Sequence, residues 1–144
     1  MKLHLPADST PSTDPIGNIL RDTKTIAVVG LSSNPVRPSF GVAQYLQSAG
    51  YRIIPVNPNE REVLGEKSYA RLEDIPESVD VVDVFRRSEE VPPVAVSAVS
   101  IKAKVLWLQQ GIEHAAAAAA AQSAGLLVVE DACLLVEHKK RRTR

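Results

Sequence analysis

The chain has 144 residues, of which 44% are hydrophobic and 24% are charged, so we expect a single globular domain. The 17 basic and 17 acidic side chains balance, which argues against nucleic acid as a partner. A single cysteine cannot form an internal disulfide, and no apolar run approaches the roughly 20 residues that span a bilayer. We therefore expect a cytoplasmic protein without a membrane partner.

The two ends of the chain are polar. Residues 1–13 are expected to form an irregular N-terminal lead-in, because this segment is rich in Pro, Ser, Thr and Asp. Asp14 before Pro15 suits a helix N-cap, and three apolar residues follow at helical spacing: Ile16, Ile19 and Leu20. The folded domain is expected to span residues 14–138, and residues 139–144 are expected to form a solvated basic tail.

Five apolar runs alternate with helical segments between these ends. The runs predict strands at residues 25–30, 51–58, 79–85, 104–109 and 126–130. The intervening segments predict helices from Ser39 to Gly50, from Ser88 to about Ser100 and from Ile112 to Ala124. The last helix contains seven consecutive alanines, which we interpret as close helix packing. This order predicts an α/β fold, a three-layer Rossmann-like sandwich whose parallel sheet of about five strands has helices on both faces.

In such a sheet, ligands bind in the loops at the carboxyl ends of the strands. The first loop offers the components of an anion site, which are a glycine for close backbone approach, two hydroxyls, a cation and a helix N-terminus. They are supplied by Gly30, Ser32, Ser33, Arg37, Pro38 and Ser39. The alternative interpretation is a plain connecting loop with an exposed arginine.

The second loop bears on the choice of nucleotide. A domain that binds NAD has an acidic residue at the end of the second strand and glycines at fixed spacing after the first strand. Here the second strand ends in Asn57 and Pro58, and a serine stands at the position of the second glycine. Both signatures of NAD are therefore missing, although Asn57 and Pro58 could equally be turn formers.

Two further loops add candidate contacts. Phe85 could flank an adenine, and Arg86 and Arg87 could pair with a phosphate, unless the phenylalanine is in the core and the arginines are on the surface. Gln109, Gln110 and Gly111 offer uncharged hydrogen bonds for an amide or a pyrophosphate. We expect the neighbouring Trp107 to be a core residue.

These blocks together resemble a known family. Residues 26–39 (IAVVGLSSNPVRPS), 53–58 (IIPVNP), 83–87 (DVFRR) and 107–112 (WLQQGI) are similar to the small, stand-alone CoA-binding domain proteins of bacteria and archaea. Those proteins are similar in fold to the CoA-binding domain of the succinyl-CoA synthetase α subunit. The resemblance covers about residues 16–140, but Ala132 stands where the family commonly has arginine.

The resemblance implies that the loops bind coenzyme A. The first loop would surround the phosphates, Asn57 and Pro58 would line the nucleotide cleft, and Phe85 and Arg86 would lie beside the adenosine. Residues 109–111 would face the pyrophosphate or pantetheine. CoA carries a pyrophosphate and a ribose 3′-phosphate, so several arginines and helix N-termini suit it better than NAD.

The sequence contains no complete set of acid, base and nucleophile at these loops, and it has no metal-binding motif. We therefore expect non-covalent binding of CoA or an acyl-CoA without catalysis. The alternative is a small oxidoreductase or transferase that uses a bound nucleotide, NAD(P) or a CoA thioester, with Asp83, Asp131 and Cys133 as participants. Cys133 is expected to be a packing residue rather than a thiol that forms a disulfide with CoA. The sequence leaves open whether the chain forms a homo-oligomer or binds a protein partner.

Overall fold

A computed structural model describes residues 1–142 of the chain. A central sheet is built from six strands: β1 (Lys2–His4), β2 (Thr25–Val29), β3 (Arg52–Val56), β6 (Val81–Val84), β7 (Val105–Leu108) and β8 (Leu127–Glu130). Two more strands form a separate hairpin: β4 (Glu62–Val63) and β5 (Glu66–Lys67). The strand order in the central sheet is β1-β8-β7-β6-β2-β3, and every pair is parallel except β1 with β8.

In the described part of the chain, five α-helices cover the two faces of the sheet: α1 (Pro15–Asp22), α2 (Pro38–Ser48), α3 (Val91–Ser100), α4 (Ala115–Ser123) and α5 (Leu134–Arg142). Helices α1, α2 and α5 contribute to one buried apolar cluster, and α3 and α4 contribute to the other. This arrangement confirms the predicted three-layer Rossmann-like α/β sandwich. Within residues 1–142, no helix is both long and apolar enough to cross a membrane.

The N-terminal lead-in differs from the prediction. Residues 2–4 form the antiparallel edge strand β1, so the sheet has six strands rather than about five. His4 Nε2 lies 2.6 Å from a carboxylate oxygen of Glu130, a residue that is 1% exposed. Lys2 also forms an ion pair, with Glu113. A strand of three residues carries too little periodicity to be recognised in the sequence.

The C-terminal prediction is also corrected. Residues 139–142 do not form a tail, because they are the last turn of α5; the predicted tail also includes residues 143–144, which lie outside the described residues. Arg141 donates to both carboxylate oxygens of Asp14, at 3.0 and 2.8 Å, and to Glu137. These bonds hold the helix against the N-cap of α1 and explain why the basic segment is ordered.

The helix boundaries shift slightly from those predicted. The side chain of Asp14 caps α1 as predicted, by accepting from Gly17 N. Helix α4 starts at Ala115 rather than at residue 112, because His114 Nδ1 accepts from Ala117 N and caps the helix. The alanine tract packs against the sheet and α3 through buried alanines, which include Ala117, Ala118 and Ala121.

The topology determines where a ligand can enter. From β2 the chain moves outward to β3 on one side, and then returns to form β6 on the other side of β2. Strands β2 and β6 are therefore the pair at which the strand order reverses. In open parallel sheets, the crevice at the carboxyl ends of such a pair is where ligands bind.

Candidate ligand-binding cleft

An open cleft of about 560 Å³ lies at the carboxyl ends of β2 and β6. It brings together most of the residues that the sequence analysis selected. Its lining consists of Gly30, Ser32, Arg37, Pro38, Ser39, Asn57, Phe85, Arg86, Arg87 and Ile112. Ser33, Pro58, Gln109, Gln110 and Gly111 are outside this lining.

Gly30 shapes the floor of the cleft. It has a φ of +87°, and a Cβ atom at this position would clash with the carbonyl oxygen of Phe85. Its N–H donates to the carbonyl oxygen of Val56 at 2.8 Å. The glycine thus lets the loops after β2 and β6 approach more closely than any side chain would allow.

The first loop uses most of its own hydrogen-bonding groups. Ser32 N donates to the buried Ser39 Oγ, Asn34 N to Ser32 Oγ, and Val36 N to Asn34 Oδ1. These amides are therefore engaged within the loop, whereas the Ser32 and Ser39 hydroxyls accept these bonds and keep their own O–H groups for donation. Short polar side chains commonly satisfy nearby amides in this way.

Ser39 is inside α2 rather than at its cap. The N-cap position belongs to Arg37, whose side chain makes no capping bond, and Pro38 occupies the first turn. Ser39 N makes no hydrogen bond within residues 1–142. This amide at the N-terminus of α2 is therefore unpaired and lies at the wall of the cleft.

Ser33 follows Ser32, which lines the cleft, and faces Glu60 in the loop after β3. Its amide and its hydroxyl both donate to Oε2 of Glu60, at 2.7 and 2.9 Å. The predicted phosphate donors at Ser33 are thus engaged by a carboxylate of the protein itself.

Asn57 joins the loop after β3 to the loop after β2. Its Nδ2 donates to the carbonyl oxygen of Leu31 at 3.0 Å, and its Oδ1 accepts from Asn59 N. Asn57 therefore forms the turn that the alternative interpretation foresaw and also lines the cleft. Pro58 is exposed in the same turn and lies outside the lining of the cleft.

Three arginines bring positive charge to the cleft. In the described part of the chain, the guanidinium groups of Arg37 and Arg86 have no hydrogen bond and no ion pair. Arg87 instead donates to Glu90 at 3.0 Å. This hydrogen bond, with smaller contributions from the charges of Arg87 and Arg86, lowers the pKa of the Glu90 carboxyl. Arg37 and Arg86 are therefore the cations that remain available to an anion.

The loop after β7 has a structural role. Gln109 is 3% exposed, and its Oε1 accepts from Leu134 N at the start of α5. Gly111 donates its amide to Asp131 Oδ1 at 2.7 Å. Gln110 is exposed next to them. Ile112 is the residue of this segment that lines the cleft, and an apolar side chain in a loop gave no signal for this position.

The residues of the alternative catalytic set do not converge on the cleft. Asp83 is fully buried in β6, and its two carboxylate oxygens have no partner among the described residues. Burial raises the pKa of this carboxyl well above its ordinary value. Asp131 is engaged by Gly111, and the half-buried Cys133 packs against the core. None of the three lines the cleft.

A second cleft of about 380 Å³ lies on the other face of the same sheet edge. Arg86 lines both clefts and so marks the point where they meet. The lining of the second cleft combines apolar and charged side chains. It includes Val29, Val56, Leu72, Pro93 and Val94 together with Arg71, Glu73, Arg86 and Glu90. The carboxyl edge thus offers a cationic cleft next to one of mixed character.

The fold and these clefts define a Rossmann-like domain of the kind that binds nucleotides. Residues 24–139 match the family described as CoA binding domain. The chain belongs to this family, and the resemblance in its sequence is confirmed.

Individual proteins are also similar to this chain. The uncharacterized protein YneT of Bacillus subtilis (strain 168) is 44% identical over 128 residues, which are 89% of this chain and 95% of YneT. The structure of a hypothetical protein from Pyrococcus horikoshii OT3 has a TM-score of 0.87 and a sequence identity of 36%. The match covers 97% of this chain and 98% of that protein. The dinucleotide-forming acetyl-coenzyme A synthetase 1 of Ca. Korarchaeum cryptofilum has a TM-score of 0.66 at 28% identity. The match covers 73% of this chain but only 25% of that synthetase.

Proposed function

We propose that the cleft binds coenzyme A or an acyl-CoA non-covalently and that the domain does not itself catalyse a reaction. The observation that carries this proposal is the pair of unpaired guanidinium groups, Arg37 and Arg86, beside Gly30 at the reversal point of the sheet. Membership of the CoA binding domain family supports the choice of ligand.

The charges in the cleft favour a ligand with several phosphates. An arginine that faces a phosphate forms a charge-assisted hydrogen bond, which is stronger than a bond between neutral groups. The free amide of Ser39 adds the positive end of α2, where anions are stabilised. CoA would bring its pyrophosphate and its 3′-phosphate to these groups.

The second cleft suits the apolar part of such a ligand. Its aliphatic walls and the arginine that it shares with the first cleft allow a planar base to pack while a neighbouring phosphate stays near Arg86. We therefore propose that the adenosine lies toward this side, beside Arg86.

The loop after β3 favours CoA over NAD. The position at the end of this strand holds Asn57, whose amide group is engaged with Leu31 O. No carboxylate stands at this position to accept the ribose hydroxyls of NAD. CoA at equal concentration is thus expected to raise the melting temperature of the protein, whereas NAD is expected to leave it unchanged.

Titration calorimetry on arginine variants tests the site. We expect Arg37→Ala and Arg86→Ala each to weaken CoA binding by about 1.5–3 kcal/mol, which is roughly 10- to 150-fold in Kd. The free energy of unfolding should hardly change, because neither guanidinium makes a bond within residues 1–142. Arg21→Ala is the matched control, since Arg21 is an exposed arginine of α1 outside the cleft.

Each outcome of the experiment has a distinct meaning. Unchanged affinity in both cleft variants would remove this cleft as the CoA site. Stabilisation by NAD instead of CoA would favour the oxidoreductase alternative.

A further inference from the structure

The contact between Ser33 and Glu60 has the geometry of a bound anion. Two donors of one residue, an amide and a hydroxyl, converge on the single oxygen Oε2. A phosphate oxygen bound to a loop next to a helix N-terminus is held by the same kinds of donor.

Glu60 is presented to Ser33 by a turn that is itself fixed. Its amide donates to Asn57 O at 3.2 Å, and Asn57 in turn holds Leu31 O through its side chain. The carboxylate therefore comes from a second loop that is tied to the first one. Glu60 is thus distant from Ser33 in the sequence, by 27 residues.

Ser33 differs from the rest of its loop in this respect. The amides of Ser32, Asn34, Val36 and Arg37 all donate to atoms of residues 32–39. In contrast, the Ser33 amide donates to Glu60 in the loop after β3. Removing the Glu60 carboxylate would thus free two donors without breaking the internal bonds of the loop.

From this geometry we propose that Glu60 is an internal competitor for ligand phosphate, and that it sets how tightly the cleft binds polyanions. The proposal rests on the proposed binding of CoA. Ser33 is adjacent to Ser32 in the lining of the cleft, so a ligand phosphate that extends to Ser33 must displace the carboxylate or stay away from its negative charge. Either route weakens binding, so the wild-type protein holds CoA less tightly than its arginines alone would allow.

Calorimetry with CoA and dephospho-CoA on Glu60→Gln and Glu60→Ala tests this role. We expect both variants to lower the Kd for CoA by about tenfold, because a like charge is lost and, in the alanine variant, the Ser33 donors are released. Glu62→Gln is the matched control, because Glu62 is an exposed carboxylate of the next strand and the substitution changes the net charge equally. Its Kd should be within a factor of two of the wild-type value.

A second substitution identifies the donors. Adding Ser33→Ala to Glu60→Ala removes the hydroxyl that the alanine variant has released, so part of the gain should disappear. Comparison of the two ligands shows whether the gain depends on the 3′-phosphate or on the pyrophosphate that both ligands carry.

The outcomes separate this proposal from the proposed function. If CoA binds the wild type and Glu60→Ala weakens or does not change its binding, Glu60 only braces the loop and the competitor role is wrong. If CoA binds neither the wild type nor any folded variant, the proposed function itself fails.

Discussion

The charged side chains at the two ends of the parallel sheet differ in whether they are paired with other groups of the protein. At the amino end, Asp80 accepts from the amides of Lys24 and Thr25, at 2.9 and 3.0 Å, and pairs with Lys104. Arg52 bonds two carboxylates there, Glu66 and Glu77. At the carboxyl end, Arg37 and Arg86 face the cleft without an acceptor in the described part of the chain.

Charged groups that stabilise the fold are therefore at one end of the sheet, and cations available to a ligand are at the other. Paired charges at the amino end hold the starts of β2, β6 and β7 together. Unpaired cations at the carboxyl end contribute little to folding but are ready for an anion. Substitutions at the two ends should therefore affect different measurements.

The largest effect is expected at Gly30. Gly30→Ala should lower the free energy of unfolding by about 2–4 kcal/mol, because an alanine would be strained at a φ of +87° and its Cβ would clash with Phe85 O. The affinity for CoA should fall as well, so this substitution affects both stability and binding. Chemical denaturation measures the free energy of unfolding, and calorimetry measures the affinity for CoA.

Gly41→Ala provides the control for this substitution. Gly41 lies in α2, and a Cβ there would meet no atom within 4 Å. The control should be neutral or slightly stabilising. A Gly30 variant as stable as the control would show that the loops after β2 and β6 can move apart at no cost.

A smaller effect is expected at the amino end. Asp80→Ala should lower the free energy of unfolding at pH 7 by about 2 kcal/mol, since it removes three bonds of this carboxylate, and CoA affinity should be unchanged. Asp22→Ala, which alters an exposed carboxylate of α1, is the control and should be close to neutral.

The pH dependence of the Asp80 effect follows from its pKa. Burial raises this pKa, but the bonds from Lys24, Thr25 and Lys104 together outweigh burial and lower it. A carboxyl with a lowered pKa stabilises the fold above its unfolded pKa of about 3.9, and the contribution is lost as the pH falls. The difference between wild type and Asp80→Ala should shrink below about pH 4. A difference that stays constant down to pH 2 would contradict this role.

The smallest effect near pH 4 is expected at Asp83, which has no hydrogen-bond partner to lose among the described residues. Burial raises its pKa, so the protonated form is the stable one, and its contribution to stability declines as the pH rises from the unfolded pKa through the folded pKa. Asp83→Asn should unfold at nearly the wild-type temperature near the unfolded pKa of about 3.9. Its advantage over the wild type should grow as the pH rises, because the unfolded wild-type chain gives up a proton that the folded chain keeps, and it should level off above the folded pKa. Thermal unfolding measured upward from that pH tests this. An advantage that does not grow with pH would contradict the raised pKa.

The sequence predicted the architecture because five apolar runs alternate with helical segments, and the rule for parallel sheets then selected the edge of the sheet at which the cleft lies. It also predicted the residues that line the cleft through their position, such as Gly30 and Arg86. It could not predict which donors are already used, because the partners of Ser33 and Gln109 lie 27 and 25 residues away. The roles of Glu60 and Ile112 likewise depend on how loops meet in space.

The pairing of β1 with β8 has a consequence for how the chain is made. Residues 2–4 leave the ribosome well before their partners, residues 128–130. Asp14 likewise waits for Arg141, which follows all strands of the central sheet in the chain. The growing chain therefore carries an unpaired β1 segment until β8 emerges, and this edge of the sheet closes last.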